Sequence, residues 1–154
     1  MSLRFLLTGE AHGEVVVLDE PLSMWGGFDP ATGEVIDRHH PQAGINLTGR
    51  VVVMPSGRGS SSSSTVLAEA IRLGTAPAAI VLRQPDDIIL LGALVAKELY
   101  GLVCPVAVAD GGDYEELRTG DVVALESSLP PQGGVPGSGG AGGGGSSENL
   151  ETSL

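Results

Sequence analysis

Hydrophobic and polar positions along this chain switch between two spacings. Residues 13–20 (GEVVVLDE) form an apolar run with a polar close and predict a strand. Residues 50–55 (RVVVMP) and 78–83 (AAIVLR) are continuous apolar runs, the pattern of strands buried on both faces at the centre of a sheet. Between them the spacing turns helical in STVLAEAIRLG. Val66, Leu67, Ala70, Ile71 and Leu73 make one stripe, and Gly74 supplies a C-terminal stop. PDDIILLGALVAKELYG predicts a second helix, with Asp86 or Asp87 as N-cap and Gly101 as its stop. CPVAVAD predicts another strand. DYEELRTGDVVALES predicts a short helical turn and then a strand over residues 121–126, of the kind that closes a barrel. Strand and helix alternate in the centre and strands flank both ends, which predicts an α/β domain of mixed β and α layers.

Two segments interrupt this pattern. Residues 22–50 carry turn signals at Gly26-Gly27, Asp29-Pro30 and Thr32-Gly33, with room for a short strand at residues 34–36. A connection this long in a small domain is expected to be functional or to lie against a partner. Met24 and Trp25 near its start are expected to be partly buried. At the other end, nine of the thirteen residues from Gly133 to Gly145 are glycine. Such a segment cannot bury enough apolar surface to offset its ordering entropy. The chain therefore divides into a folded domain, residues 1–129, and a Gly/Ser-rich tail, residues 130–154, expected to be disordered.

Composition narrows the function classes. With 42% hydrophobic but only 3% aromatic residues, the core must be built from Val, Leu, Ile and Ala. The net charge of −11 would repel a phosphate backbone, which argues against nucleic acid as a partner. The basic residues are scattered, and no apolar stretch reaches the ~18 residues of a membrane span, so no membrane role is expected. The N-terminus has a short apolar patch without the length of a secretory h-region, which favours a cytoplasmic protein. One cysteine, Cys104, makes no internal disulfide and no thiolate cage; in its apolar run it reads as a small buried hydrophobe.

The distinctive stretch is PSGRGSSSSSTVLAEAIRLG, residues 55–74, with five consecutive serines. It joins a strand to an amphipathic helix, so it is not a linker. A single serine suffices to cap a helix. The surplus hydroxyls, the free first-turn amides and the positive helix end together read as an anion site. Arg58, between Gly57 and Gly59, adds a planar fork for a carboxylate or phosphate, and the glycines permit close approach. A serine there could also act as proton abstractor or nucleophile. No G-x-S-x-G elbow is present, and nothing ties His12, His39 or His40 to the serines. His39 and His40 lack helical metal-ligand spacing and are expected to build the loop, touch a partner, or stand near substrate. Asp86-Asp87 reads as a helix cap rather than an acid pair.

GGFDPATGEVIDRHHP, followed by PSGRGSSSSS and then APAAIVLRQPDDIILLGALVA, resembles the aconitase X swivel domain family over about residues 13–126. The resemblance implies a swivelling β/β/α three-layer fold with mixed, barrel-like strands. It also implies a hydro-lyase subunit that is active only with a larger catalytic chain. At 154 residues the chain looks like the separate small subunit, in a heterodimer or higher assembly. Bacterial members of the family dehydrate cis-3-hydroxy-L-proline to Δ1-pyrroline-2-carboxylate; archaeal members dehydrate mevalonate 5-phosphate. The large chain's cysteines hold an iron–sulfur cluster or iron, so no metal or cofactor is expected on this chain. Gly59, Ser60 and Ser61 match the family's Gly-Ser-Ser loop, which makes Ser60 the expected base, with Ser61 as alternative. Arg58, Gly59, Ser61 and Ser62 are the expected substrate contacts. Related aconitases carry an arginine where Ser62 stands; here Arg58 precedes the glycine instead. Gly26, Gly27 and Asp29 match a Gly-Gly-x-Asp turn and, with His39 and His40, are expected at the interface or behind the substrate. Hydroxyproline leads as substrate because the whole stretch resembles bacterial members of the family, and the single Arg58 suits one carboxylate. A non-catalytic anion-binding regulatory module is the alternative of another class, and a stand-alone hydrolase a weaker third.

Overall fold

A computed structural model describes residues 3–126. In chain order the elements are β1 (Arg4–Leu7), β2 (Glu10–Val17), α1 (Met24–Gly27), β3 (Phe28–Asp29), β4 (Glu34–Val35) and β5 (Val51–Met54). They continue with α2 (Ser62–Leu73), β6 (Ala79–Leu82), α3 (Asp87–Tyr100), β7 (Val106–Val108), α4 (Gly111–Glu115) and β8 (Val122–Glu126). The expected tail, residues 130–154, lies outside the described residues.

Six strands form one mixed sheet in the order β1-β7-β6-β5-β2-β8. β2, β5, β6 and β7 run parallel, in register Val15↔Val51↔Ala79 and Ile80↔Val106. β1 and β8 pair antiparallel with β7 and β2. The continuous apolar runs become two half-cores because successive side chains point to opposite faces. Val16, Val52, Met54, Ile80, Leu82 and Val106 pack in one cluster with α2 and α3. Val15, Val51, Val53, Ala79 and Val81 pack on the other face with Tyr114, Leu117 and Leu125. β5-α2-β6 and β6-α3-β7 are two βαβ units, so both helices lie over one face. The α/β class with a mixed sheet is as expected.

The two helices approach closely at Gly92. A Cβ there would stand 2.8 Å from the Ser64 carbonyl oxygen and 3.0 Å from Leu67 Cβ. Leu67, Ala70 and Ile71 on α2 are buried as their spacing predicts, but Leu73 is half exposed and leaves the stripe. α2 also starts earlier than its apolar pattern, taking in Ser62, Ser63 and Ser64. Asp86, rather than Asp87, caps α3, its Oδ1 accepting from the Ile88 and Ile89 amides.

Residues 22–50 are stitched to the domain. β3 and β4 pair as a hairpin whose Phe28 and Val35 are buried with Leu47. The Asn46 side chain donates to the Thr32 carbonyl, and the Thr75 hydroxyl donates to that of Pro30. β1 was not visible in the pattern; its RFLL acquires strand form by pairing with β7. β8 ends the sheet beside β2, and among the described residues no pairing joins it to β1, so it does not close a barrel.

Cys104 is fully enclosed, and burial pushes its thiol up to about 12. Between the ordinary thiol value of about 8.5 and that raised value, the unfolded chain loses this proton before the folded one. Stability is therefore expected to fall as pH rises through that window, and to do so less in Cys104→Ala. Labelling by a thiol reagent near pH 8 is expected to be slow for the native chain and fast in denaturant; fast labelling of the native chain would contradict the burial.

Candidate active site

The serine stretch leaves the C-terminal end of β5, turns sharply and enters α2. Its first half is anchored from a neighbouring helix. The Gly57 amide donates to Asp86 Oδ2 at 3.0 Å while the other oxygen of the same carboxylate caps α3. Gly57 also bridges to Leu22, in the segment that follows β2. Its bare Cα is needed there, since a Cβ would meet Ile89 Cγ1 at 2.9 Å. Gly59 follows with φ +100°, and a Cβ on it would stand 2.7 Å from Ser23 Oγ. Backbone conformation and steric room both select glycine at this point.

The five serines separate into two groups. Ser63 and Ser64 are buried. The Ser63 hydroxyl accepts from the Trp25 amide at 3.2 Å, and that of Ser64 donates to the Ser61 carbonyl at 2.6 Å. Ser60, Ser61 and Ser62 are exposed, and among the described residues their hydroxyls have no hydrogen-bond partner. Ser61 sits at the N-cap position without a side-chain cap bond; the Ser63 and Ser64 amides donate to the Ser60 and Ser61 carbonyls instead, and the Ser62 amide has no acceptor among the described residues. Three outward hydroxyls therefore stand at the positive end of a twelve-residue helix. Arg58 is half exposed, and its closest carboxylate, Glu20 Oε1, is 4.0 Å from Nη2. An ion pair that long and solvated holds the guanidinium weakly, leaving it available to an incoming anion. A half-exposed guanidinium and three exposed hydroxyls within five residues are groups suited to an anion such as a carboxylate.

The remaining predicted residues divide between this loop and its supports. His40 is buried; its Nε2 donates to the Glu20 carbonyl and its Nδ1 accepts from the Gln42 amide, each at 3.0 Å. It thus holds the chain at Glu20, whose carboxylate faces Arg58. His39 is exposed and separate from it, with its amide donating to Asp37 Oδ1. Asp29 makes a turn, accepting from the Ala31 amide through Oδ1 and from Gly33 through its carbonyl. Gly26 is exposed at φ +80°, whereas Gly27 is buried against Leu22. Trp25, expected to be partly buried, is instead 62% exposed beside fully enclosed Met24. Among the described residues no three His, Cys, Asp or Glu side chains gather as a metal site.

Two supports were missed in the sequence. Ser23 donates to the Trp25 carbonyl and floors Gly59, and Asp86 reaches across to Gly57 as well as capping its own helix. The capping signal at Asp86 was legible; its second oxygen's partner lies 29 residues away and carries no local signature.

Gly59→Ala is expected to destabilise the domain by about 1–3 kcal/mol, as a non-glycine residue is forced to positive φ against Ser23. Asp86→Ala is expected to cost about 1–2 kcal/mol from the lost cap, and more if Gly57 is left unpaired. Urea unfolding of both variants checks these values; wild-type midpoints would contradict the anchoring described.

The aconitase X swivel domain family matches residues 1–130. Over 114 residues the chain is 52% identical to a cis-3-hydroxy-L-proline dehydratase of Pseudomonas aeruginosa, covering 74% of this chain and 20% of that protein. Over 115 residues it is 46% identical to the phosphomevalonate dehydratase small subunit of Methanopyrus kandleri, covering 74% of this chain and 81% of that one. The chain thus spans about a fifth of the length of the hydroxyproline dehydratases it matches. In structure it resembles the holo-form of Thermococcus kodakaraensis aconitase X, with a TM-score of 0.71 and 32% identity, over 82% of this chain and 92% of that chain. The serine loop, the mixed sheet that carries it and these likenesses agree: the chain belongs to the aconitase X swivel domain family.

Proposed function

We propose that the chain is the swivel subunit of a hydro-lyase that dehydrates cis-3-hydroxy-L-proline to Δ1-pyrroline-2-carboxylate, with its active site shared with a large catalytic chain. The observation that carries this is the set of outward hydroxyls of Ser60, Ser61 and Ser62 at an uncapped helix start next to Arg58. The 52% identity to a cis-3-hydroxy-L-proline dehydratase supports this choice of substrate.

The chemistry assigns roles to these groups. Arg58 and the Ser62 amide, which opens α2 and has no acceptor among the described residues, hold the substrate carboxylate. Ser60 removes the proton from C2, the carbon that bears the carboxylate. The electron pair of that C–H bond becomes the C2=C3 bond, and the C3–O bond breaks; the departing hydroxide takes a proton from solvent and leaves as water, while Ser60 returns the C2 proton to solvent. The resulting enamine takes a proton at C3 as its ring nitrogen gives up an N–H proton to solvent, and becomes the Δ1 imine. Ser60 must be deprotonated to act, and the helix N-terminus and Arg58 both stabilise an alkoxide at that position. They equally stabilise the charge that builds on the carboxylate as C2 loses its proton. Ser61 is the alternative base, one residue on and equally exposed. The expected iron–sulfur cluster or iron belongs, in this reading, to the large chain, whose place is over the serine loop.

Mevalonate 5-phosphate is the second substrate reading, supported by the 46% identity to the Methanopyrus kandleri small subunit. Co-expression of this chain with its large chain, assayed on both compounds beside Ser60→Ala, separates the two. We expect turnover of cis-3-hydroxy-L-proline that falls at least ~100-fold in Ser60→Ala, the scale of losing a positioned base. Turnover of mevalonate 5-phosphate alone would transfer the reading to the second substrate. Full activity in Ser60→Ala would move the base to Ser61, and anion binding with no effect of either serine on turnover would favour a regulatory module.

A further inference from the structure

Trp25 is the only tryptophan in the chain, and it is 62% exposed. The outward position is built in. Within α1, Trp25 (φ −78°, ψ 116°) and Gly26 (φ 80°) leave helical geometry, while Met24 and Gly27 on either side are buried. Both backbone polar groups of Trp25 are held by serines: its amide donates to Ser63 Oγ at 3.2 Å, and its carbonyl accepts from Ser23 Oγ at 2.9 Å. The same two hydroxyls lie under Gly59, 2.7 and 3.5 Å from where a Cβ would stand. The indole is therefore carried on a segment fixed to the floor of the Gly59–Ser60 turn. Ile36, 45% exposed, is joined to the same segment through its amide, which donates to the Gly27 carbonyl at 2.9 Å.

A large rigid aromatic left in water beside a reactive loop is the residue type that dominates binding at protein interfaces. The chain's net charge of −11 disfavours an anionic membrane or nucleic acid as its cover. The exposed Leu91 and Leu94 lie in the body of α3, whose tie to the loop runs from its cap Asp86 to Gly57 and not to the Gly59–Ser60 turn.

We propose that Trp25 is the anchor by which this chain docks on the large catalytic chain, seating in an apolar pocket there and bringing the serine loop to the shared site. This rests on the shared-site reading above but not on the substrate.

The test uses this chain labelled with 5-fluorotryptophan, which gives one fluorine resonance, titrated with unlabelled large chain. The resonance is expected to move on complex formation. Trp25→Ala is expected to weaken association by about 30-fold or more, the scale of a hot-spot residue, and Trp25→Phe by less. Both should melt like wild type. With the large chain in saturating excess, kcat of Trp25→Ala is expected to recover. A resonance unmoved by the large chain, or wild-type affinity in Trp25→Ala, overturns the proposal. So does low kcat at wild-type affinity, which would make Trp25 a substrate contact, or a resonance that moves with this chain's own concentration, which would make the face a self-association surface. A complex that forms through Trp25 but does not dehydrate cis-3-hydroxy-L-proline sinks the substrate reading and leaves the anchor standing.

Discussion

One carboxylate sets the geometry on which the loop depends. Asp86 spends one oxygen on the first amides of α3 and the other on the Gly57 amide, 29 residues earlier. Charge-assisted bonds of this kind are stronger than neutral ones, and here a single rigid group makes three of them. The loop after β5 is thereby tied to the helix after β6, and both to the parallel core beneath. With its entry fixed, Gly57-Arg58-Gly59 can turn through positive φ and deliver the next residue to the surface. Without that tie, a glycine-flanked segment would sample many conformations, and the entropy of ordering it would fall on whatever it binds.

The serine run shows how one residue type serves two purposes within a single turn of helix. Ser63 and Ser64 satisfy buried backbone groups, as buried hydroxyls must. Ser60, Ser61 and Ser62 satisfy nothing inside the protein and face out. The division follows from helical periodicity: Ser63 and Ser64 fall on the side of α2 that meets Trp25 and α3, Ser62 opens the helix on its exposed side, and Ser60 and Ser61 precede it. An alanine scan of the five would therefore mix losses of stability with losses of function, and burial says which is which.

Much of the architecture was legible because its signals are local. Unbroken apolar runs marked β5 and β6, 3.6-residue spacing marked α2 and α3, and Gly74 and Gly101 marked their ends. The elements that escaped are those defined by distant pairing. RFLL becomes β1 only through β7. Residues 22–50, dense in turn signals, hide the burial of Phe28, Val35 and Leu47 because their partners lie elsewhere in the chain. At the loop, the residue types announced anion chemistry. Which serines face out, and that Trp25 does too, depended on hydrogen bonds from Ser23 and Ser63 that no spacing rule encodes.

The strand order has a consequence for how the chain is made. β1 and β2 leave the ribosome first, yet β1 pairs with β7 and β2 with β8. The opening segment of the domain must wait, with part of its hydrogen-bonding edge unfilled, until nearly all of residues 3–126 have been synthesised. Contacts so far apart in sequence slow folding, and unpaired edges in the interval invite the wrong neighbour. A ribosome stalled before β8 would hold a nearly complete sheet with β2 bare along one side, so protein quality control should matter most for this domain during translation of its last few residues.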